Sequence, residues 1–294
     1  MPRAEANGME LEYDTFGSPG AAPLLLVMGL GVQMITWDED FCEQLAAAGP
    51  FHVIRFDNRD VGLSSKLDHL GLPNVLDVAV GQEQAPYALE DMADDAAALL
   101  GVLHIDRAHV VGASMGGYIV QLMALGHREK VLSLTSIMSA SGGMAGDIPA
   151  TPEAMQAVFA PPPTDREGLI EHGVMLSRTF HGPRYFDEER QRRKGTRAVD
   201  RSVSLAGTVR QLAAIAAAPS RLERLQSLDL PTLVIHGEVD PLVPVENGRR
   251  TAAAIPGARL LTFPDMGHDL PSQLWPEIIG AIVENARKAA VART

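Results

Sequence analysis

The residues Gly112-Ala113-Ser114-Met115-Gly116 have the types and spacing of a nucleophile turn, G-x-S-x-G. An apolar β-type run at 108–111 precedes them, and a mostly apolar helical run at 115–127 follows. A sharp strand-to-helix turn strains the serine backbone and leaves its hydroxyl exposed. Glycines two before and two after it make room for neighbouring backbone. The helix that begins there aims free N–H groups at any anion forming beside Ser114. The chemistry such a turn could do is attack by a serine hydroxyl on a carbonyl carbon.

A serine hydroxyl is a weak nucleophile and needs a base, itself held by an acid; here both are sought downstream of the serine. Of nine histidines, His268 sits in Asp265-Met266-Gly267-His268-Asp269, directly after the last predicted strand. His52, His109 and His236 lie in or beside strands, and His104 and His127 at helix ends. His69, His172 and His181 fall in loops or in an inserted segment. For the acid, Asp240 in His236-Gly237-Glu238-Val239-Asp240-Pro241 falls just past the next-to-last strand, with Glu238 as its nearest rival. Asp240 leads because Pro241 fixes a turn and because two more residues carry it beyond the strand end.

A tetrahedral oxyanion needs two aimed donors. One is expected from the backbone N–H of Met115. The other is expected from Leu30, in the tight Gly29-Leu30-Gly31 reversal after an early buried strand. Met28, Met115, Met138, Met144 and Met266 all fall near strand ends at the same edge. Two readings stand for them: an adaptable substrate pocket, with Gly29, Met138 and Met144 as its substrate-binding residues, or gap-filling core.

Elements of an alternating β and α grammar must position these groups. Strands are predicted at Met9–Phe16, 23–28, Phe51–Phe56, 107–112, 131–138, 231–237 and Arg259–Phe263. Helices are predicted at Glu39–Ala48, over Leu89 to Leu103, at 115–127 and from Pro276 onward. In the second of these, Leu89, Met92, Ala93, Ala96, Leu99, Leu100 and Leu103 form one apolar stripe, with Asp91, Asp94 and Asp95 expected to face water. In the last, Ile278, Ile279, Ile282, Val283 and Ala286 share a face. The grammar changes between Ala140 and about Leu222. That stretch reads as a helical cap inserted between two strands, hinged near Gly142-Gly143 and Pro161-Pro162-Pro163. The expected organisation is a core of residues 1–140 and 223–294 carrying a cap of 141–222. Within the cap, Arg190, Arg192, Arg193, Lys194, Arg197 and Arg201 are expected to form a solvated helix face paired with Asp187, Glu188 and Glu189.

Composition excludes several other classes. The 294 residues are 46% hydrophobic and 21% charged, a globular balance. Acidic residues outnumber basic ones 37 to 25, for a net charge of −12, so nucleic acid is not an expected partner. No apolar run approaches a membrane span, so no membrane is expected either. The first fourteen residues hold charges and no apolar core of a signal peptide, which predicts a cytoplasmic protein. The single cysteine, Cys42, permits no internal disulfide and no thiolate cluster. Neither a metal nor a cofactor is expected.

With these motifs the chain resembles the α/β-hydrolases of the serine type over residues 1–140 and 223–294. The resemblance implies a mostly parallel central sheet flanked by helices, with a helical cap. Family members usually read His-Gly-x after the early buried strand, where this chain reads Met28-Gly29-Leu30. The stretch Asp57-Asn58-Arg59-Asp60-Val61-Gly62-Leu63-Ser64 matches the family's structural D-x-R-x-x-G-x-S loop. PLLLVMG, HVIRFDNRDVGLS, DRAHVVGASMGG, PTLVI and IPGARL…MGHDLPS are similar to the anthracycline methyl esterases of the aclacinomycin methylesterase type. The resemblance implies a carboxylic ester hydrolase with a Ser114-His268-Asp240 triad and an acyl-enzyme, acting on a methyl or other small-alcohol ester as a small-molecule substrate. Lactone hydrolysis, perhydrolysis and acyl transfer remain open on the same triad, as does a non-catalytic binding protein of the same fold. An aspartate-nucleophile enzyme is disfavoured, since serine stands at the turn.

Overall fold

The computed structural model describes residues 1–143 and 146–291. Eight strands form one sheet: β1 (Arg3–Ala6), β2 (Met9–Phe16), β3 (Ala22–Val27), β4 (Phe51–Phe56), β5 (Ala108–Ala113), β6 (Val131–Ile137), β7 (Thr232–Gly237) and β8 (Arg259–Phe263). Their spatial order is β1-β2-β4-β3-β5-β6-β7-β8. The β1–β2 and β2–β4 pairs are antiparallel, and every pair from β4 to β8 is parallel. Every residue of β5 and β7 is buried, as parallel strands covered on both faces should be.

The helices in chain order are α1 (Glu39–Ala48), α2 (Val75–Ala79), α3 (Leu89–Val102), α4 (Met115–Gly126), α5 (Pro152–Phe159), α6 (Arg166–Phe180), α7 (Glu188–Arg201), α8 (Leu205–Ala217), α9 (Leu222–Leu225), α10 (Val245–Ala254) and α11 (Trp275–Val291). On one face of the sheet α3 and α4 pack through Met92, Ala96, Leu99, Ile119 and Met123. On the other, α1 and α11 pack through Phe41, Leu45, Ile278 and Ile282. The side chain of Asp91 accepts from the Ala88 N–H at 2.7 Å and so caps α3. Between β6 and β7 stand α5 to α9. Gly143, at φ 68°, lies at the first junction of that insertion. Pro161-Pro162-Pro163 links α5 to α6 within it.

Besides two unpredicted helices, α2 and α10, the structure departs from the expected one at three places. A strand, β1, precedes the first predicted one and pairs with β2. Asp95 does not face water: it is 1% exposed and binds Arg59 in bidentate fashion at 2.6 and 2.7 Å. That pairing, with a further hydrogen bond from the Asn7 amide at 2.8 Å, makes a buried carboxylate tolerable. Thirdly, the basic run on α7 is not simply solvated. Arg193 and Arg192 pair with Glu189 and Glu188 as expected. Arg190, Lys194, Arg197 and Arg201 instead reach the core. Arg190 and Lys194 hold Asp38 at 2.9 and 3.1 Å. Arg197 holds Glu39 at 2.7 Å, and Arg201 holds Asp57 at 2.7 Å. Positions 190, 194, 197 and 201 share one helical face, which lies on the acidic entry to α1 and on Asp57 after β4.

Candidate active site

β5, between β3 and β6, delivers Ser114 to the carboxyl end of the sheet, and the turn into α4 forces it into φ 56°, ψ −123°. This left-handed conformation is costly for a non-glycine residue and survives only where its surroundings impose it. The flanking glycines show how. A Cβ on Gly112 would collide with the Gly116 carbonyl, and a Cβ on Gly116 with the Val27 carbonyl of β3. Met115 opens α4, so its N–H lies in the first turn, where helix geometry provides no acceptor.

The loop after β3 comes close on the other side. A Cβ on Gly29 would stand 3.0 Å from the Ser114 Cβ and 3.5 Å from its Oγ, so only glycine leaves the serine free. Two side chains hold this loop, and the sequence reading assigned neither to it. Asn58 donates to the Met28 carbonyl at 2.9 Å. Gln211, from α8, accepts from the Gly31 N–H at 2.8 Å. They brace a loop that lacks the histidine usual at position 28. Asn58 lies in the D-x-R-x-x-G-x-S match, which was a usable signal; Gln211 had none.

At the ends of β7 and β8 the remaining groups meet. The Asp240 side chain is fully buried. Its Oδ1 accepts from the N–H groups of Leu242 and Val243 at 2.9 and 2.8 Å. Its Oδ2 lies 2.8 Å from Nδ1 of His268. Two backbone donors and a turn thus fix the carboxylate before the imidazole docks on it. Glu238 points elsewhere, accepting from the Thr262 hydroxyl at 2.7 Å. Asp269 accepts from backbone N–H groups of Gly267 and Gly182. His236 lies 3.6 Å from Asp240 but gives Nε2 to the Val243 carbonyl at 2.7 Å. Burial lowers its pKa, so it stays neutral and structural there.

One cavity of about 660 Å³ receives these groups; Ser114, His268, Gly29, Leu30, Met115 and Met138 all line it. Ser114 and His268 are not hydrogen-bonded to each other, a contact that commonly tightens only around substrate. Met28 also lines the cavity, whereas Met266 is fully buried core. Met144 lies outside the described residues. The inserted helices supply much of the opposite wall, including Phe159, Leu176, Phe180, Lys194 and Leu212. His181 and Asp269, which the sequence reading passed over as site residues, line it too. Burial drops the pKa of His181 to about 3, with Lys194, His268 and Arg190 adding to the effect. Burial raises that of Asp269 to about 6. Among the described residues no three His, Cys, Asp or Glu side chains gather as a metal-binding group. No helix among them is long and apolar enough to cross a membrane.

Comparison with known proteins adds to this geometry. A family model for the alpha/beta hydrolase fold matches residues 22–272. Rhodomycin D methylesterase of Streptomyces sp. (strain C5) is 32% identical over 297 residues, covering 94% of each chain. The enzyme of the same name from Streptomyces peucetius is 31% identical over 296 residues, again 94% of each. Among solved structures, a meta-cleavage product hydrolase from Pseudomonas fluorescens IP01 superposes with a TM-score of 0.79. It is 22% identical over 98% of both chains, a likeness of fold.

Proposed function

The chain belongs to the α/β-hydrolase family, and from that premise we propose that it is a carboxylic ester hydrolase working through Ser114, His268 and Asp240. One observation carries the reading. The strained Ser114 and an imidazole whose Nδ1 is held by a buried carboxylate open on the same cavity. In this mechanism Oγ of Ser114 attacks the ester carbonyl while Nε2 of His268 takes the hydroxyl proton. The Met115 and Leu30 N–H groups receive the negative charge on the carbonyl oxygen. Asp240 keeps the proton of the neutral ring on Nδ1 and stabilises the imidazolium that forms. Collapse of the tetrahedral adduct breaks the bond to the alcohol, which leaves with the proton from His268. Water, deprotonated by the same nitrogen, then cleaves the acyl-enzyme to free acid and restores Ser114.

The substrate we propose is a bulky acid esterified with a small alcohol, such as methanol. The cavity lies within the size range that encloses drug-sized molecules, and two relatives matched over 94% of each chain are methylesterases. We take 1–140 with 223–294 as the catalytic core and 141–222 as the cap that selects the acyl group. Gly29 and Met138 would then border the bound ester. A panel of methyl esters graded from acetate to polycyclic acids tests this, with released methanol as the readout. The proposal expects kcat/KM to rise with acyl size; a preference for acetate would overturn it.

A further inference from the structure

The histidine loop meets the end of β7 at Met266, whose carbonyl accepts from the Val239 N–H at 3.2 Å, but His268 itself is held elsewhere. Its N–H donates to the Phe180 carbonyl, at the end of α6, at 2.7 Å. Around this bond the α6 terminus and the histidine loop meet with no space between them. A Cβ on Gly182 would run into the Asp265 carbonyl, and a Cβ on Gly267 into the Phe180 carbonyl and the Gly182 nitrogen. Asp269 closes the junction. Its Oδ1 accepts from Gly267 N–H within the loop at 3.0 Å and from Gly182 N–H across it at 3.4 Å. Its Oδ2 lies 3.7 Å from Nδ1 of His181. At the rim, Arg184 pairs with Asp265 at 2.6 Å. The loop carrying the imidazole is therefore bound to a segment nearly ninety residues away, on the inserted helices.

We infer that residues 180–182 are the seat of the histidine loop, with Asp269 and Gly182 as positioning residues that place His268 for proton transfer. The insertion then does more than select substrate: its docking completes the geometry of the base. The inference rests on His268 being that base. A side chain that must lie within hydrogen-bond reach of Ser114 loses rate steeply with small displacements, about 100-fold for 1 Å.

The test compares Asp269→Ala, Asp269→Asn and Gly182→Ala with wild type on p-nitrophenyl acetate, a substrate too small to need the cap for binding. kcat and KM are read separately, alongside the rate of serine labelling by a fluorophosphonate. Asparagine keeps the oxygen that accepts both N–H groups; alanine removes it. Asp269→Ala and Gly182→Ala are expected to lower kcat about 10- to 100-fold at nearly constant KM, and to slow labelling alike. Asp269→Asn should retain most of the activity. Equal losses in the alanine and asparagine variants overturn the seating, as does a change confined to KM or full activity in Gly182→Ala. Should Asp269→Ala fail to fold, Gly182→Ala decides. His268→Ala separates the two claims. If it stays active, the base assignment itself falls. If it is dead while the alanine variants at 269 and 182 are unimpaired, only the seating does.

Discussion

Asp240 presents Oδ2 to Nδ1 of His268 at 2.8 Å, while its Oδ1 is already occupied by the backbone N–H groups of Leu242 and Val243. The carboxylate therefore has one orientation, and that orientation fixes the imidazole tautomer. Asp240→Asn puts an amide N–H where an acceptor stood. The expected loss is about 10⁴ in kcat, the scale known for this substitution in serine proteases. Glu238→Gln, whose side chain is turned to Thr262, should cost less than about tenfold. Parallel kcat measurements check this, and a crippled Glu238→Gln beside an active Asp240→Asn would reverse the assignment.

Two of the ion pairs that tie the inserted helices to the core should differ widely in strength. Arg210 and Asp60 are 1% and 0% exposed in their side chains, so Arg210→Ala strands a buried charge and should cost about 3–5 kcal/mol. Glu39 and Arg197 are 35% and 50% exposed. Arg197, helped by Arg55, holds Glu39 down to about 2, but solvent screening should limit Arg197→Ala, which leaves the buried Arg55 pair in place, to about 1 kcal/mol or less. Urea unfolding of both arginine variants tests the contrast; a larger loss in Arg197→Ala would contradict it.

Acid should destabilise the protein through His181. Its pKa is about 3 in the folded chain against an ordinary 6.5. Below pH 6.5 the unfolded chain takes up a proton that the native state refuses, so stability is present above that value and falls with decreasing pH. His181→Gln should remove this contribution. The variant's stability relative to wild type should be flat above pH 7 and improve by up to about 1.4 kcal/mol per unit between pH 6 and 4. Asp269 has the opposite sign. With its pKa raised from 3.8 to about 6, it weakens the fold as pH rises through that interval. Asp269→Asn should therefore gain stability at pH 8 and not at pH 4. Denaturation curves across pH decide both, and a pH-independent difference would contradict them.

The sheet was legible because parallel strands buried on both faces are written as short apolar runs, as in β5 and β7. That Ser114, Asp240 and His268 come together was legible because each follows such a run within a turn of recognisable chemistry. Asp95 was misread although its spacing of three from Met92 and four from Leu99 puts it on the apolar face of α3; its partner Arg59 is 36 residues away. The α7 stripe carried its periodicity openly, but its acidic counterpart at Asp38 and Glu39 is about 150 residues distant. Gln211 on the Gly31 loop, and Asp269 on Gly182, are set by the packing of the insertion on the core. No local pattern encodes such contacts.

Ser114 is the proposed nucleophile. The most direct test of that role is kcat for Ser114→Ala on an ester that the wild type cleaves, with unfolding measured on the same sample. If the serine supplies chemistry and little packing, kcat should fall by about 10⁴ to 10⁶ while the unfolding midpoint stays close to that of wild type. A correctly folded Ser114→Ala protein that keeps more than about a hundredth of wild-type activity would contradict the account.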